Sequence, residues 1–154
     1  MIRAMQPADC DAIAAIEAQI FNTAIAPGRL LTLLKMPAFC GFVDDLDDLH
    51  TPERSNNLAG YLLATMILDE AEILSIAVKE DHQKCGRGSG LLGHFLAHLV
   101  EKDVKTTFLE VAADNMSALT FYQSHGFTKF GRRAAYYKRL EGYCDAIMMK
   151  RQSD

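Results

Sequence analysis

The sequence predicts a single α/β domain: one mixed sheet, flanking helices and one parallel crossover. Three observations carry this. The chain has 154 residues, the length of one domain with a core of its own. Short apolar runs alternate with segments whose apolar residues recur every three to four positions, in the order strand, two helices, three strands, helix, strand, helix, two strands. A polar, glycine-rich loop separates a strand that is apolar on both faces from an amphipathic helix, the usual start of a parallel crossover.

Taken in order, Ile2 to Met5 is long enough for a first strand, and Pro7 opens a helix carrying Ile13, Ile16 and Ile20. Pro27 opens a second helix with Leu30, Leu31, Leu33 and Leu34, which Pro37 ends. Phe39 to Val43 reads as a strand, and Asp44 to Asn57, acidic and containing Pro52, as an exposed loop. Leu58 to Leu68 and Ile73 to Val78 form an antiparallel hairpin across the polar turn Asp69-Glu70-Ala71-Glu72. Lys79 to Ser89 is the glycine loop. Gly90 to Lys102 is a helix whose apolar face carries Leu91, Leu92, Phe95, Leu96, Leu99 and Val100. Thr106 to Val111 is a strand. Asn115 or Ser117 caps a last helix that runs through His125, with Gly126 after it. Phe127 to Arg133 and Tyr143 to Met149 close the sheet.

Charge and cysteine usage exclude several classes. Lys plus Arg is 16 against 20 for Asp plus Glu, a net charge of −4, which disfavours non-specific nucleic-acid or membrane binding. No apolar run reaches the roughly 18 residues of a spanning helix, and the N-terminal residues lack a signal-peptide pattern, so a cytoplasmic location is expected. Cys10, Cys40, Cys85 and Cys144 are far apart, which argues against a zinc site or a disulfide framework. No metal is expected. His94 and His98 lie four apart but lack the glutamate of a metal-binding helix motif. Asp44, Asp45, Asp47 and Asp48 lack the glycine and terminal glutamate of a calcium loop and are expected to be solvated. The late basic stretch of Lys129, Arg132, Arg133, Lys138 and Arg139 reads as a solvated hairpin.

The chemistry centres on Gln83-Lys84-Cys85-Gly86-Arg87-Gly88-Ser89-Gly90. Glycines let backbone N–H groups approach an anion, the helix N-terminus adds partial positive charge, and Lys84 and Arg87 supply mobile cations. A plain turn needs one glycine, not three at alternate positions, so the loop reads as a pyrophosphate cradle. Gly88-x-Gly90-x-x-Gly93, with Glu110 about twenty residues further on, also matches a dinucleotide fingerprint, and a methyl-donor nucleoside is a related alternative. Against both, the glycines begin well after Val78, and too little chain follows for a doubly wound sheet.

Several motifs in order resemble the Gcn5-related N-acetyltransferase (GNAT) superfamily: Gln83-x-x-Gly86-x-Gly88, the preceding Leu74-Ser75-Ile76-Ala77-Val78, Leu109-Glu110-Val111 with Asn115-x-x-Ala118, and Phe121-Tyr122-x-x-x-Gly126-Phe127. Within it, Leu68-Asp69-Glu70-Ala71, Tyr136-Tyr137 and Asp145-Ala146-Ile147-Met148 resemble the RimI type, which acetylates the N-terminal alanine of a ribosomal protein. The core motifs run from about residue 58 to 149 of one domain spanning 1–154. The resemblance implies a mostly antiparallel sheet whose central parallel pair splays apart. It implies acetyl-CoA as co-substrate, with its diphosphate on Gly86 to Gly90, its pantetheine arm in the splay beside Ile76 and Asn115, and its thioester oxygen on the N–H of Ala77 or Val78. It assigns Glu110 as base acting through water, Tyr122 as the acid that protonates the leaving thiolate, and Tyr136 and Tyr137 as walls for the acceptor. The acceptor implied is a protein N-terminus; a small amine or a lysine is the alternative, and a catalytically silent coenzyme-A-binding module another.

Two of these roles have a physical argument beside the resemblance. Glu110 alternates with Phe108 and Ala112 on a largely apolar strand, where a lone carboxylate is costly and burial makes it a better base. Freeing an α-amine, pKa about 8, costs about 1.4 kcal/mol at pH 7, whereas freeing a lysine costs over ~4 kcal/mol. A modest base therefore suffices for an N-terminus. Cys85, beside cations, is either oxidation-sensitive or a small filler.

Overall fold

The computed structural model describes residues 1–21, 25–46 and 57–153. Seven strands form one sheet in the order β1-β2-β3-β4-β5-β7-β6: β1 (Ile2–Ala4), β2 (Phe39–Asp45), β3 (Leu58–Ile67), β4 (Glu70–Val78), β5 (Thr106–Ala112), β6 (Thr128–Arg139) and β7 (Gly142–Gln152). Every pairing is antiparallel except β4 with β5. This is the mixed sheet with one parallel crossover that the sequence predicts, and it excludes a doubly wound parallel sheet. No helix among the described residues is long and apolar enough to cross a membrane.

Among the described residues four helices cover the two faces: α1 (Cys10–Phe21), α2 (Pro27–Leu34), α3 (Arg87–Glu101) and α4 (Met116–Ser124). Ile13, Ile16 and Leu30 of α1 and α2 pack on Val43, Tyr61, Leu63 and Ala77. On the opposite face Leu91, Leu92 and Phe95 of α3, with Leu119 and Tyr122 of α4, pack on Leu62, Ile73, Leu109, Val111 and Met149. Val100, assigned to the apolar face of α3, is instead exposed, because it lies one position past the stripe that ends at Leu99.

One irregularity in β4 matters for the site. Ala64 pairs with Ile73 and Leu63 with Ser75, so Leu74 is an extra residue bulged out of the ladder. The bulge inverts the facing of everything after it. Ala71 and Ile73 join the α3–α4 core, whereas Ala77 joins the α1–α2 core and Ile76 and Val78 take over the α3–α4 side. The apolar character of this strand on both faces was read correctly, but the change of parity is invisible to a period count.

Two expectations are corrected here. Glu70 to Glu72, assigned to the turn, begin β4, and the reversal is tighter, with Leu68 in the left-handed region at φ 57°. Asp44 and Asp45, assigned to the exposed acidic loop, are buried at the end of β2. Asp45 receives Arg3 Nε at 2.8 Å, and Asp44 receives Arg87 Nη1 at 2.7 Å. Paired with guanidinium groups, these carboxylates are at home inside. The rest of that loop, 47–56, lies outside the described residues. His94 and His98 lie against the Phe42 ring, centroids 4.9 and 5.3 Å away.

Candidate active site

The glycine loop is built by its own side chains. β4 ends at Val78, a 3-10 turn covers Glu80–His82, and Lys84 and Gly86 both take positive φ, 61° and 84°. Gln83 Nε2 donates to the Val78 carbonyl at 2.9 Å, and the Cys85 thiol donates to the His82 carbonyl at 2.8 Å. Gln83 thus fastens the loop to the end of β4, and Cys85 fastens it to its own 3-10 turn. Gly86 caps α3 in a conformation that a side chain would strain. The first backbone bond of the helix is Gly90 N–H to Gly86 O, 2.9 Å. The N–H groups of Arg87, Gly88 and Ser89 come before it and have no carbonyl partner within the helix. Three amides and a helix dipole therefore converge at an anion-binding end.

Arg87 differs from expectation. It is not a mobile cation but is clamped to the buried Asp44, which holds its guanidinium above its ordinary pKa. It ties the start of α3 to β2. Lys84 is exposed.

β4 and β5 are paired only at Glu70–Thr106, Ala71–Thr107 and Glu72–Phe108, and then part. The gap holds a cavity of about 800 Å³ whose walls include Ile76 of β4, Glu110 of β5, Asn115 and Tyr122 of α4, and Tyr137 of β6. Lys79 N–H donates to the Ala59 carbonyl of β3 at 2.8 Å. Alternation along the strand then turns the Ala77 N–H toward β3 and the Val78 N–H toward the gap. Of the two amides, only that of Val78 faces the open side.

Asn115 does two things at once. It caps α4, its Oδ1 accepting the Ala118 N–H at 3.2 Å, and it lines the cavity. Asn115→Ala is expected to cost about 1 kcal/mol, read as a fall of about 3 °C in the thermal midpoint.

Glu110 stands where the 800 Å³ cavity meets a second one of about 390 Å³, lined by Phe108, Phe130, Arg133 and Met148. A carboxylate on this largely apolar strand needs water or a partner, and it has one. Arg133 Nε lies 2.9 Å from its Oε1, so its charge is compensated. Tyr122 is buried against Phe127, ring centroids 5.6 Å apart, and burial raises its phenol above the usual value, so it stays protonated. Tyr137 is half-buried, and its phenol is also raised, first by burial and then by the charge of Glu110. Tyr136 points out, 51% exposed with Arg133 over its ring; only Tyr137 of the predicted pair reaches the cavity wall. Among the described residues no cluster of His, Cys, Asp and Glu could hold a metal.

Residues 18–127 match the model of the acetyltransferase (GNAT) family. The chain belongs to that family. It is 38% identical over 96 residues to the [ribosomal protein bS18]-alanine N-acetyltransferase of Escherichia coli K12, which is 62% of this chain and 65% of that protein. The chain thus matches just under two thirds of these curated relatives' own length. Among solved structures, the ribosomal-protein-S18-alanine N-acetyltransferase from Escherichia coli superposes with a TM-score of 0.85 at 28% identity, covering 99% of this chain and 92% of that one. Arabidopsis thaliana NAA60 in complex with acetyl-CoA shares the fold at 18% identity, with a TM-score of 0.82 over 99% of this chain and 97% of that one.

The sequence reading missed two groups that the fold brings to this GNAT site. Arg133 was assigned to a solvated hairpin. Glu17 of α1 is buried and lines the larger cavity. Its signal was present: Glu17 is four residues after Ile13 and so falls on the apolar stripe of Ile13, Ile16 and Ile20.

Proposed function

We propose that this chain is an acetyl-CoA-dependent N-acetyltransferase that acetylates a protein N-terminal α-amine by direct attack in a ternary complex, with a ribosomal protein as acceptor. The observation that carries the reading is the parting of β4 from β5 beyond Glu72 and Phe108, with Glu110 on the wall of the cavity between them and the free amides of α3 following the end of β4. Its bacterial relatives that act on ribosomal protein bS18 support the choice of acceptor. A ribosomal acceptor would put the reaction in the cytoplasm.

In this reading the amides of Arg87, Gly88 and Ser89, within the loop from Gly86 to Gly90, hold the diphosphate, with the side chains of Gln83, Lys84, Cys85 and Arg87 shaping the loop around it. Ile76 and Asn115 flank the pantetheine arm. The Val78 N–H donates to the thioester oxygen, where negative charge grows as the amine attacks. Glu110 takes a proton from the acceptor nitrogen, and Arg133 keeps its carboxylate in place. Tyr122, held protonated by burial, donates to the departing thiolate. Tyr137 walls the acceptor side, and Tyr136 borders it from outside.

The test is a thermal-shift panel of acetyl-CoA, NAD and S-adenosylmethionine, followed by mass spectrometry of peptides with a free N-terminal alanine, a blocked N-terminus, or a lysine alone. Acetyl-CoA alone is expected to stabilise, by about 2.7 kcal/mol at a hundredfold excess over its Kd, and only the free N-terminus is expected to gain an acetyl group. A response to NAD alone, or acetylation confined to lysine, overturns the assignment.

A further inference from the structure

Acetylation at neutral pH removes two protons from the acceptor nitrogen. One leaves the ammonium before attack, because an ammonium has no lone pair. The other leaves after the C–N bond forms. One proton ends on the sulfur of coenzyme A and one in water. Glu110 and Tyr122 account for the second proton and the thiolate, but not for the first.

The cavity holds another carboxylate. Glu17 is 7% exposed and lines the same cavity as Glu110. Leu109 and Val111 face the α3–α4 core, so Glu110 looks to the α1–α2 side, which is the side on which Glu17 lies. The Leu74 bulge turns Ser75 to this side as well. Tyr61 O–H lies 3.0 Å from Ser75 Oγ, which donates to Glu17 Oε2 at 3.2 Å. Ser75 supplies the only hydrogen bond to the Glu17 carboxylate among the described residues, and no cation pairs with it there. Its remaining lone pairs are free to receive an ammonium. Glu110 differs, since Arg133 already compensates it.

We infer that Glu17 is a second acid–base carboxylate on the acceptor side, which binds the incoming α-ammonium and takes its first proton, with Ser75 and Tyr61 fixing its orientation. The N–H bond breaks toward Glu17 Oε, leaving a neutral amine and a carboxylic acid. The amine lone pair then forms the C–N bond as C–S breaks, Glu110 receives the second proton, and Tyr122 supplies the thiolate's; the proton held by Glu110 then passes through water to the Tyr122 phenolate, which restores both groups. Glu17 returns its proton to water when product leaves. Burial, which lifts the Glu17 carboxyl despite the opposing bond from Ser75, brings its affinity for a proton closer to that of an amine.

The inference rests on the functional reading above, and the experiment separates the two. Wild type, Glu17→Gln, Ser75→Ala and Glu110→Gln are assayed with a peptide bearing a free N-terminal alanine. Values of kcat/KM are taken from about pH 6 to pH 10, with acetyl-CoA binding and thermal midpoints measured in parallel. Among the described residues, the other titratable groups lining this cavity are Glu110 of β5, Asp114 and Tyr122 at α4, and Tyr137, Lys138 and Arg139 of β6, while Tyr61 of β3 lies buried behind Ser75. Asp114 and Arg139 pair with each other.

Glu17→Gln keeps the bond from Ser75 and is expected to lose about 10²-fold at pH 7. The deficit should shrink to within about tenfold by pH 9.5, where an α-amine of pKa about 8 has already shed its proton. The Glu110→Gln deficit should not shrink, and donor affinity should stay within about twofold in both. A Glu17→Gln deficit that is constant with pH, or absent, overturns the inference and leaves Glu17 a purely structural anchor. If Glu17→Gln does not fold, Ser75→Ala decides: a loss of about tenfold that fades with rising pH supports the inference, and a flat or absent loss overturns it. A wild type that binds acetyl-CoA but acetylates no α-amine sinks the functional reading first, and this inference with it.

Discussion

Replacing Glu110 with glutamine is expected to lower turnover on an N-terminal alanine peptide by about 10³-fold while acetyl-CoA affinity stays within about twofold. Glutamine preserves the shape of the side chain and can still accept a hydrogen bond from Arg133. What it loses is the capacity to take a proton at the junction of the two cavities. The amides proposed to bind the donor lie at α3, on the other side of the sheet, so binding should be untouched. Stability should also hold: Arg133 is 53% exposed and remains solvated when its partner loses charge. Calorimetry with acetyl-CoA and steady-state kinetics on the same preparation decide the matter. A variant retaining a tenth or more of wild-type turnover removes Glu110 from the chemistry.

Gly60→Ala is expected to destabilise the fold by about 2–3 kcal/mol, lowering the thermal midpoint by roughly 8 °C, and to weaken acetyl-CoA binding at least tenfold. A Cβ at this position would sit 2.5 Å from the Ala77 carbonyl oxygen, 3.1 Å from Val78 Cγ2 and 3.2 Å from Leu91 Cδ1. The first of these is backbone, and it cannot step aside without opening the β3–β4 ladder. Opening there shifts the Ala77–Val78 segment, which carries the inward amide and anchors Gln83 of the glycine loop. Stability and donor affinity should therefore fall together, unlike the Glu110 variant. Gly93→Ala is the control, since its Cβ would meet nothing within 4 Å. A Gly60→Ala protein with unchanged melting and binding would show that the close approach carries no cost.

The order of elements and the local build of the glycine loop and helix caps were legible in the sequence because both are local. Glycine spacing, a capping asparagine and helical periodicity are properties of short windows. The predicted cradle Gly86–Gly90 is the N-terminus of α3, and Asn115 caps α4. What local reading could not supply depends on partners far away in the chain. Arg87 is separated by 43 residues from the Asp44 that clamps it. Glu110 is paired from β6, which makes the expected base half of an ion pair. Asp44 and Asp45 looked solvated because a run of acids has no visible cation beside it. Glu17 was legible in principle, as one acid on an apolar stripe, but only the register of β4 explains why the cavity meets it.

The surplus residue at Leu74 has a consequence for how such an enzyme changes over time. Under the proposed function, neighbouring positions past that point answer to different substrates: 76 and 78, on one face, to the activated acyl donor, and 75 and 77, on the other, to whatever receives the group. Acceptor preference can therefore drift by exchanging every second side chain of one short segment, while the coenzyme's berth is inherited unaltered.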